Sequence, residues 1–362
     1  MDRRFRQVDV FGVDSFSGNP VAVILDSDGL TDNELRAFSA WTNLSECTFL
    51  YPPTDSKADY SVRIFAQNTE LPFAGHPTLG TARAWLDAGG TPSQPNLIIQ
   101  ECTAGLVPIR IEGDILAFNA PPRIRSGPVA EDLLNSLIEI LGITRDQVVD
   151  SEWLDNGPGW VGILLDSAES VLKIRPNASA HPGRWDIGVI GPHSAGSEFA
   201  FELRAFFTEG SEPLREDPIT GSLNASAAEW LLSKNRVTAS YIASQGSAIG
   251  RNGRVYISED DGKIWVGGNP QKPDDEWSYM APFSPSDVIE EYTRPARIRR
   301  SGVNVSEPAL TERHAVSVPG YGQMEAFLTD GLRSLLDTIH CDELLEYTVR
   351  WPGHIEHYLD GN

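Results

Sequence analysis

Cysteine is scarce: three in 362 residues, Cys47, Cys102 and Cys341, far apart and without a CxxC pair. They cannot all pair, so a disulfide framework is excluded and a reducing compartment is implied. Basic residues are also short, 29 Lys and Arg against 51 Asp and Glu, leaving a net charge of −22. That deficit argues against nucleic acid or an anionic membrane as partner, since both reward Lys/Arg surfaces. No apolar run approaches a transmembrane span. The apolar stretch after the basic start Met1-Asp-Arg-Arg-Phe-Arg-Gln7 is too short for a signal peptide. A GxGxxG dinucleotide motif after an N-terminal strand is missing too. Gly157-Pro-Gly-Trp-Val-Gly162 lacks the spacing, and its Pro spoils the approach. The expectation is a soluble, cytoplasmic protein.

What remains is a foldable globular chain. An apolar fraction of 40% with nine Trp supports substantial cores, and the length allows two or three domains. Val8, Val10 and Gly12 begin an alternating strand that Gly18-Asn19-Pro20 turns into a second over 21–25. Thr31 and Glu34 make a capping box for a helix to about residue 42, with Leu35, Phe38 and Trp41 facing inward. The loop Asn43-Leu-Ser45-Glu46 feeds a strand over 47–51, and 60–65 is another. A helix follows over 132–141, with strands over 116–120, 160–165, 201–207, 253–258 and 263–267. Residues 270–276 are polar and linker-like; beyond them come a strand over 314–318 and an amphipathic helix over 324–336.

One phrase occurs twice, 141 residues apart. The first copy has Arg63-Ile-Phe65, then Glu70-Leu-Pro-Phe-Ala-Gly-His76-Pro77-Thr-Leu-Gly80-Thr81. The second has Arg204-Ala-Phe206, then Arg215-Glu216-Asp217-Pro218-Ile-Thr-Gly221-Ser222. The offset pairs Arg63 with Arg204, Phe65 with Phe206, Pro77 with Pro218, Gly80 with Gly221 and Ala84 with Ala225. It also sets Thr81 against Ser222 and His76 against Asp217. With Pro77 and Pro218 starting helices, each copy ends in a helix N-terminus whose unpaired N–H groups suit a carboxylate or enolate. A repeated scaffold with a changed titratable residue implies two lobes sharing a site of unlike groups. Taken alone, an Asp before Pro reads as an N-cap; at a shared cleft, His76 is suited to proton exchange near neutral pH. Glu46 is the third candidate and lies in neither copy. At the edge of an apolar strand, desolvation raises a carboxylate's pKa and makes it a base.

Phe16-Ser-Gly-Asn-Pro20, Leu44-Ser-Glu46-Cys-Thr-Phe49, Arg63-Ile-Phe65, Glu70-Leu-Pro-Phe-Ala-Gly-His-Pro-Thr-Leu-Gly80 and Glu216-Asp-Pro-Ile-Thr-Gly-Ser222 together resemble the PhzF phenazine-biosynthesis isomerase family, in order over residues 5–270. The resemblance implies an α/β (α+β) diaminopimelate-epimerase-like fold, two lobes each wrapping a sheet around a central helix, in a homodimer. It implies a cofactor-independent isomerase, without a metal, that moves a proton between carbons of a small carboxylated metabolite. That substrate would be dihydro-hydroxyanthranilate-like or amino-acid-derived and belong to secondary metabolism. On this resemblance Glu46 carries the proton, His76 and Asp217 assist, and Ser45, Gly75, Gly221 and Ser222 contact the substrate carboxylate. Ala66-Gln67 and residues 207–215 depart from the family pattern beside the cleft, which puts the phenazine precursor itself in doubt. An amino-acid epimerase or racemase and a catalytically silent metabolite-binding scaffold are the alternatives. A two-thiol racemase is disfavoured, because His76 and Asp217 stand where related epimerases carry cysteines, and Cys47 starts a strand pointing away.

Val318-Pro-Gly-Tyr-Gly-Gln-Met-Glu-Ala-Phe-Leu and Tyr347-Thr-Val-Arg-Trp-Pro-Gly-His354 resemble the C-terminal part of saccharopine-dehydrogenase-like enzymes. Without a dinucleotide motif this segment supplies no hydride chemistry. It reads as a retained fragment packing on the core or a dimer face, or as a recognition element using Glu325, Asp330, Arg333 and Arg350. The expected organisation is a first lobe over 1–120, a second over 121–275 and an appendage over 276–362.

Overall fold

Side chains alternate along β1 (Phe5–Val10) and β2 (Asn19–Ile24): Val8, Val10, Val21 and Val23 enter one core, Ala22 and Ile24 another. The second core is closed by α1 (Asp32–Thr42), whose start is fixed by the capping box. Glu34 N donates to Thr31 Oγ1 at 3.4 Å and Thr31 N to Glu34 Oε2 at 2.7 Å. Leu35 is buried and Phe38 half-buried, but Trp41 is 65% exposed, contrary to the expected inward face. It lies instead beside Phe38, ring centroids 6.0 Å apart.

The first lobe continues through β3 (Glu46–Tyr51), β4 (Tyr60–Ala66), β5 (Thr69–Leu71), α2 (Gly75–Asp87), β6 (Leu97–Cys102), β7 (Gly105–Glu112) and β8 (Ile115–Asn119). Small and apolar residues let α2 be buried without interruption from Gly75 to Ala82, so it is a central helix rather than an amphipathic surface one. Gly80, midway along it, lets the helix approach Val21 of β2 more closely than any Cβ would allow.

The second lobe repeats the first element by element: after α3 (Glu131–Leu141) come β9 (Val148–Trp153), β10 (Val161–Leu165), α4 (Ala168–Lys173), β11 (Asp186–Pro192), β12 (Phe201–Phe207) and β13 (Arg215–Asp217). Then follow α5 (Gly221–Ser233), β14 (Tyr241–Gln245), β15 (Gly253–Asp260) and β16 (Lys263–Gly268). Sheet order is β1-β2-β3-β4-β6-β7-β8 in one lobe and β9-β10-β11-β12-β14-β15-β16 in the other, with β5 on β4 and β13 on β12. Parallel pairs fall at matching places, β2 with β3 and β10 with β11, β4 with β6 and β12 with β14. Antiparallel pairing of β8 with β16, Phe118 opposite Val266, joins the lobes into one 16-stranded sheet. Residues of α2 and α5 share one core, while α3 and α4 cover a separate core on the second lobe. The expected two-lobed architecture, a sheet around a central helix in each lobe, is the one the chain adopts.

The computed structural model describes residues 3–208, 213–271, 290–319 and 322–360. Its compact units are Met1–Pro273 and Asp274–Asn362; the linker-like stretch at 270–276 falls mostly outside the described residues. In the second unit β17 (Ala296–Arg300) pairs with β18 (Val303–Glu307). A three-stranded sheet there comprises β19 (His314–Val318), β20 (Gly322–Leu328) and β21 (Tyr347–Arg350), with short helices α6 (Leu335–Thr338) and α7 (His354–Asp360). The amphipathic helix expected over 324–336 is therefore a strand followed by one helical turn. Pairing on both edges, Met324 with Val316 and Ala326 with Val349, outweighs the local helical pattern. Among the described residues no helix is long and apolar enough to cross a membrane.

Candidate active site

Each central helix is entered through a braced hairpin. Arg63 on β4 grips Glu70 on β5 with two prongs, Nε–Oε1 2.7 Å and Nη2–Oε2 2.6 Å. Arg204 on β12 grips Glu216 on β13 in the same way, at 2.9 and 2.6 Å. Each guanidinium also lies over a Phe two residues on, Phe65 at 5.2 Å and Phe206 at 4.8 Å. The brace sets the register: Phe65 faces Glu70, and Phe206 faces Glu216. Beyond the strands the lobes therefore correspond at an offset of 146, not 141, pairing Pro72 with Pro218 and Gly75 with Gly221. Five extra residues before β13 account for the change. Pro218 precedes α5 instead of starting it, and Pro77 is the third residue of α2. The structural counterpart of His76 is Ser222, and that of Asp217 is Leu71.

The two helix starts meet. A Cβ added to Gly221 would lie 3.1 Å from Gly75 Cα and 3.3 Å from His76 N. Neither start has a side-chain cap. The ladder of α2 begins at Thr78 N to Ala74 O, 3.2 Å, and that of α5 at Asn224 N to Thr220 O, 3.1 Å. The earlier N–H groups, those of Gly75 and His76 in one lobe and of Gly221, Ser222 and Leu223 in the other, precede any helical bond, and Pro77 has none to satisfy. Two positive dipole ends thus converge on one place suited to an anion.

Glu46 opens β3 and is not in the preceding loop; its Oε2 lies 3.4 Å from His76 Nε2. His76 is buried, and burial pushes its pKa down to about 3, opposed by a hydrogen bond to the Pro20 backbone. It is a neutral imidazole at physiological pH. Its Nδ1 is 3.5 Å from Asn19 Nδ2, and that amide donates to Asp217 Oδ1 and to Ile219 O, both at 3.0 Å. Thr220 Oγ1 also donates to Asp217. Burial raises the Asp217 pKa to about 6, against the hydrogen bonds from Thr220 and Asn19, with the Glu216 charge adding to the rise. Glu46, His76 and Asp217 are thereby brought into one chain of contacts that runs through Asn19. Cys47, the next residue, faces the α1 core and touches Thr42 Oγ1 at 3.1 Å.

Ser222 is held from two sides: Trp160 Nε1 donates to its Oγ at 3.0 Å and Asn156 Nδ2 to its carbonyl at 2.9 Å. Its hydroxyl proton is left to donate elsewhere. Ser45 is half-buried immediately before Glu46. Four site residues were not foreseen: Asn19, Trp160, Thr220 and Gln245. Gln245 takes Thr220 N at 3.1 Å and Asn224 Nδ2 at 2.9 Å, locking the start of α5. The one available signal was the Ser-Gly-Asn-Pro phrase carrying Asn19. Among the described residues no group of three His, Cys, Asp or Glu is placed to hold a metal.

Residues 8–270 match the family model described as phenazine biosynthesis-like protein. Residues 246–361 match that of the saccharopine dehydrogenase C-terminal domain. Antisense-enhancing sequence 1 of Schizosaccharomyces pombe is 35% identical over 72% of this chain and 91% of its own length. Trans-2,3-dihydro-3-hydroxyanthranilate isomerase of Pseudomonas aeruginosa is 30% identical over 70% of this chain and 89% of its own. A solved PhzF-family phenazine biosynthesis protein from Enterococcus faecalis shares the fold, with TM-score 0.61 at 22% identity over 75% of this chain and 96% of that one.

Proposed function

The chain belongs to the phenazine biosynthesis-like protein family and is an isomerase, and we propose that it moves a proton between two carbons of a small carboxylated metabolite without a cofactor. The observation that carries this reading is the Glu46–His76 approach of 3.4 Å beside two uncapped helix starts that meet at glycine. The N–H groups of Gly75 and Gly221, with the Ser222 and Ser45 hydroxyls, hold the substrate carboxylate. Glu46 removes a proton from an acidified C–H and returns it to another carbon. Neutral His76 shares that proton through Nε2. Asp217, kept in place by Asn19 and Thr220, serves as the acid on the far side. The converging dipoles stabilise the anion formed in between, and exclusion of water strengthens them. The dihydro-hydroxyanthranilate-like substrate draws support from the Pseudomonas relative's name, and the homodimer from family resemblance alone.

Turnover in heavy water tests the chemistry. Deuterium should enter the product at the carbon that gains hydrogen, Glu46→Gln should lower turnover by about 10²–10⁴-fold, and dialysis against a chelator should leave it unchanged. A folded Glu46→Gln enzyme with full turnover would remove the assigned base.

A further inference from the structure

Gln245 ends β14, is fully buried, and reaches into the turn between β13 and α5. An amide side chain has two donors and two acceptor lone pairs, and here all four are used. Oε1 accepts from Thr220 N at 3.1 Å and from Asn224 Nδ2 at 2.9 Å. Nε2 donates to Asp217 O at 3.2 Å and to Thr220 Oγ1 at 3.0 Å. A flipped amide would set nitrogen against the Thr220 N–H and oxygen against the Asp217 carbonyl, so one orientation is allowed. A threonine hydroxyl has a single proton. With Gln245 donating to Thr220 Oγ1, that proton is directed to Asp217 Oδ2. The donation holds negative charge on Oδ2. Oδ1 instead faces Asn19 Nδ2, which lies 3.5 Å from His76 Nδ1.

We propose that Gln245 is a positioning residue: by holding the Thr220 hydroxyl toward Oδ2, it makes Oδ1, the oxygen beside Asn19, the one through which Asp217 gives and takes its proton. It rests on the reading of Asp217 as the acid. Burial raises the Asp217 pKa to about 6, and the Thr220 bond leads the groups that oppose the rise. Asn19 opposes it too, and the Glu216 charge, tied to Arg204, adds to it. Loosening Thr220 therefore favours the protonated acid and frees its proton to move between oxygens.

Carbon-13 NMR of the full-length chain with labelled aspartate reads the Asp217 titration without any substrate, its resonance assigned by its loss in Asp217→Asn. Thr220→Val exchanges the hydroxyl for a methyl and should move the midpoint up by about one pH unit. Thr220→Ser should keep the wild-type midpoint. Gln245→Leu should move it upward, and adding it to Thr220→Val should move it no further, because both changes act on one bond. The alkaline limb of turnover should follow, assayed on the dihydro-hydroxyanthranilate named for the Pseudomonas relative. A Gln245→Leu protein that melts like wild type and titrates at or below its midpoint overturns the proposal, as do additive shifts in the double variant. Should Gln245→Leu not fold, the side-chain amide resonances of Gln245 decide. They should follow the Asp217 midpoint in wild type and lose most of that response in Thr220→Val; an amide blind to the titration overturns the proposal. Midpoints that move while the limb stays put overturn the part of Gln245 in the reaction. Full turnover in Asp217→Asn would instead remove the acid reading itself. If wild type does not turn over the probe, the substrate reading fails while the titrations still decide the role of Gln245.

Discussion

Burial acts on His76 and Asp217 in opposite senses, because one becomes charged on protonation and the other on deprotonation. His76, depressed from 6.5 to about 3, contributes stability that is present above 6.5 and lost as pH falls toward 3. Asp217, raised from 3.8 to about 6, contributes stability that is present below 3.8 and lost as pH rises through 6. Asp217→Asn removes only the second contribution. Urea unfolding near pH 4 should find the variant about as stable as wild type. Near pH 7.5 it should be more stable by up to about 3 kcal/mol, from roughly two pKa units at ~1.4 kcal/mol each; solvent reaching the half-buried carboxylate reduces this. A variant no more stable than wild type near pH 7.5 would mean that the bonds from Thr220 and Asn19 outweigh the desolvation of the anion. At this scale the sequence was informative about titratable residues and silent about their holders. Glu46, His76 and Asp217 announce themselves by type and motif. Asn19 sits between Gly and Pro, where every local signal says turn, while its amide reaches Asp217, 198 positions away.

The meeting of α2 and α5 has a graded tolerance for added atoms. A Cβ on Gly75 would come 2.6 Å from the Phe118 ring, whereas one on Gly221 meets nothing nearer than 3.1 Å. Gly75→Ala should therefore destabilise by about 1–3 kcal/mol, as overpacking does. Gly221→Ala should cost less than about 1 kcal/mol in stability yet lower turnover roughly tenfold or more, because parting the helix starts displaces the anion site. Melting curves and initial rates on both variants check this, and wild-type turnover in Gly221→Ala would show that the close approach is not used. The constant offset of 141 was a sound guide to the strands, where pairing Arg63 with Arg204 preserves a brace. It failed at the helices, because a hairpin absorbs five residues without disturbing the brace, and offset counting cannot see an insertion. β20 misled for a different reason: strand pairing on both edges is a tertiary choice that a local apolar period does not encode.

At the level of the whole molecule, two lobes match in every strand pairing while sharing few residues outside the hairpins. Ala22 and Val161, or Glu46 and Asp186, occupy like positions with unlike side chains, so the duplicated topology is written in burial pattern more than in identity. The Met1–Pro273 unit contains both lobes, their cores and the candidate site residues. The Asp274–Asn362 unit has cores of its own, one around Ile298, Leu328 and Leu336 and another around Tyr292, Phe327 and Ile355. A chain of this first unit's size buries enough surface to fold alone, and among the described residues the 16 strands of its sheet all belong to it. Residues 1–273 expressed by themselves should then unfold in one cooperative calorimetric transition and keep the isomerase turnover of the full chain. Loss of turnover with the transition intact would assign the second unit a part in the site or in assembly. Loss of the transition itself would mean that the lobes depend on it to fold.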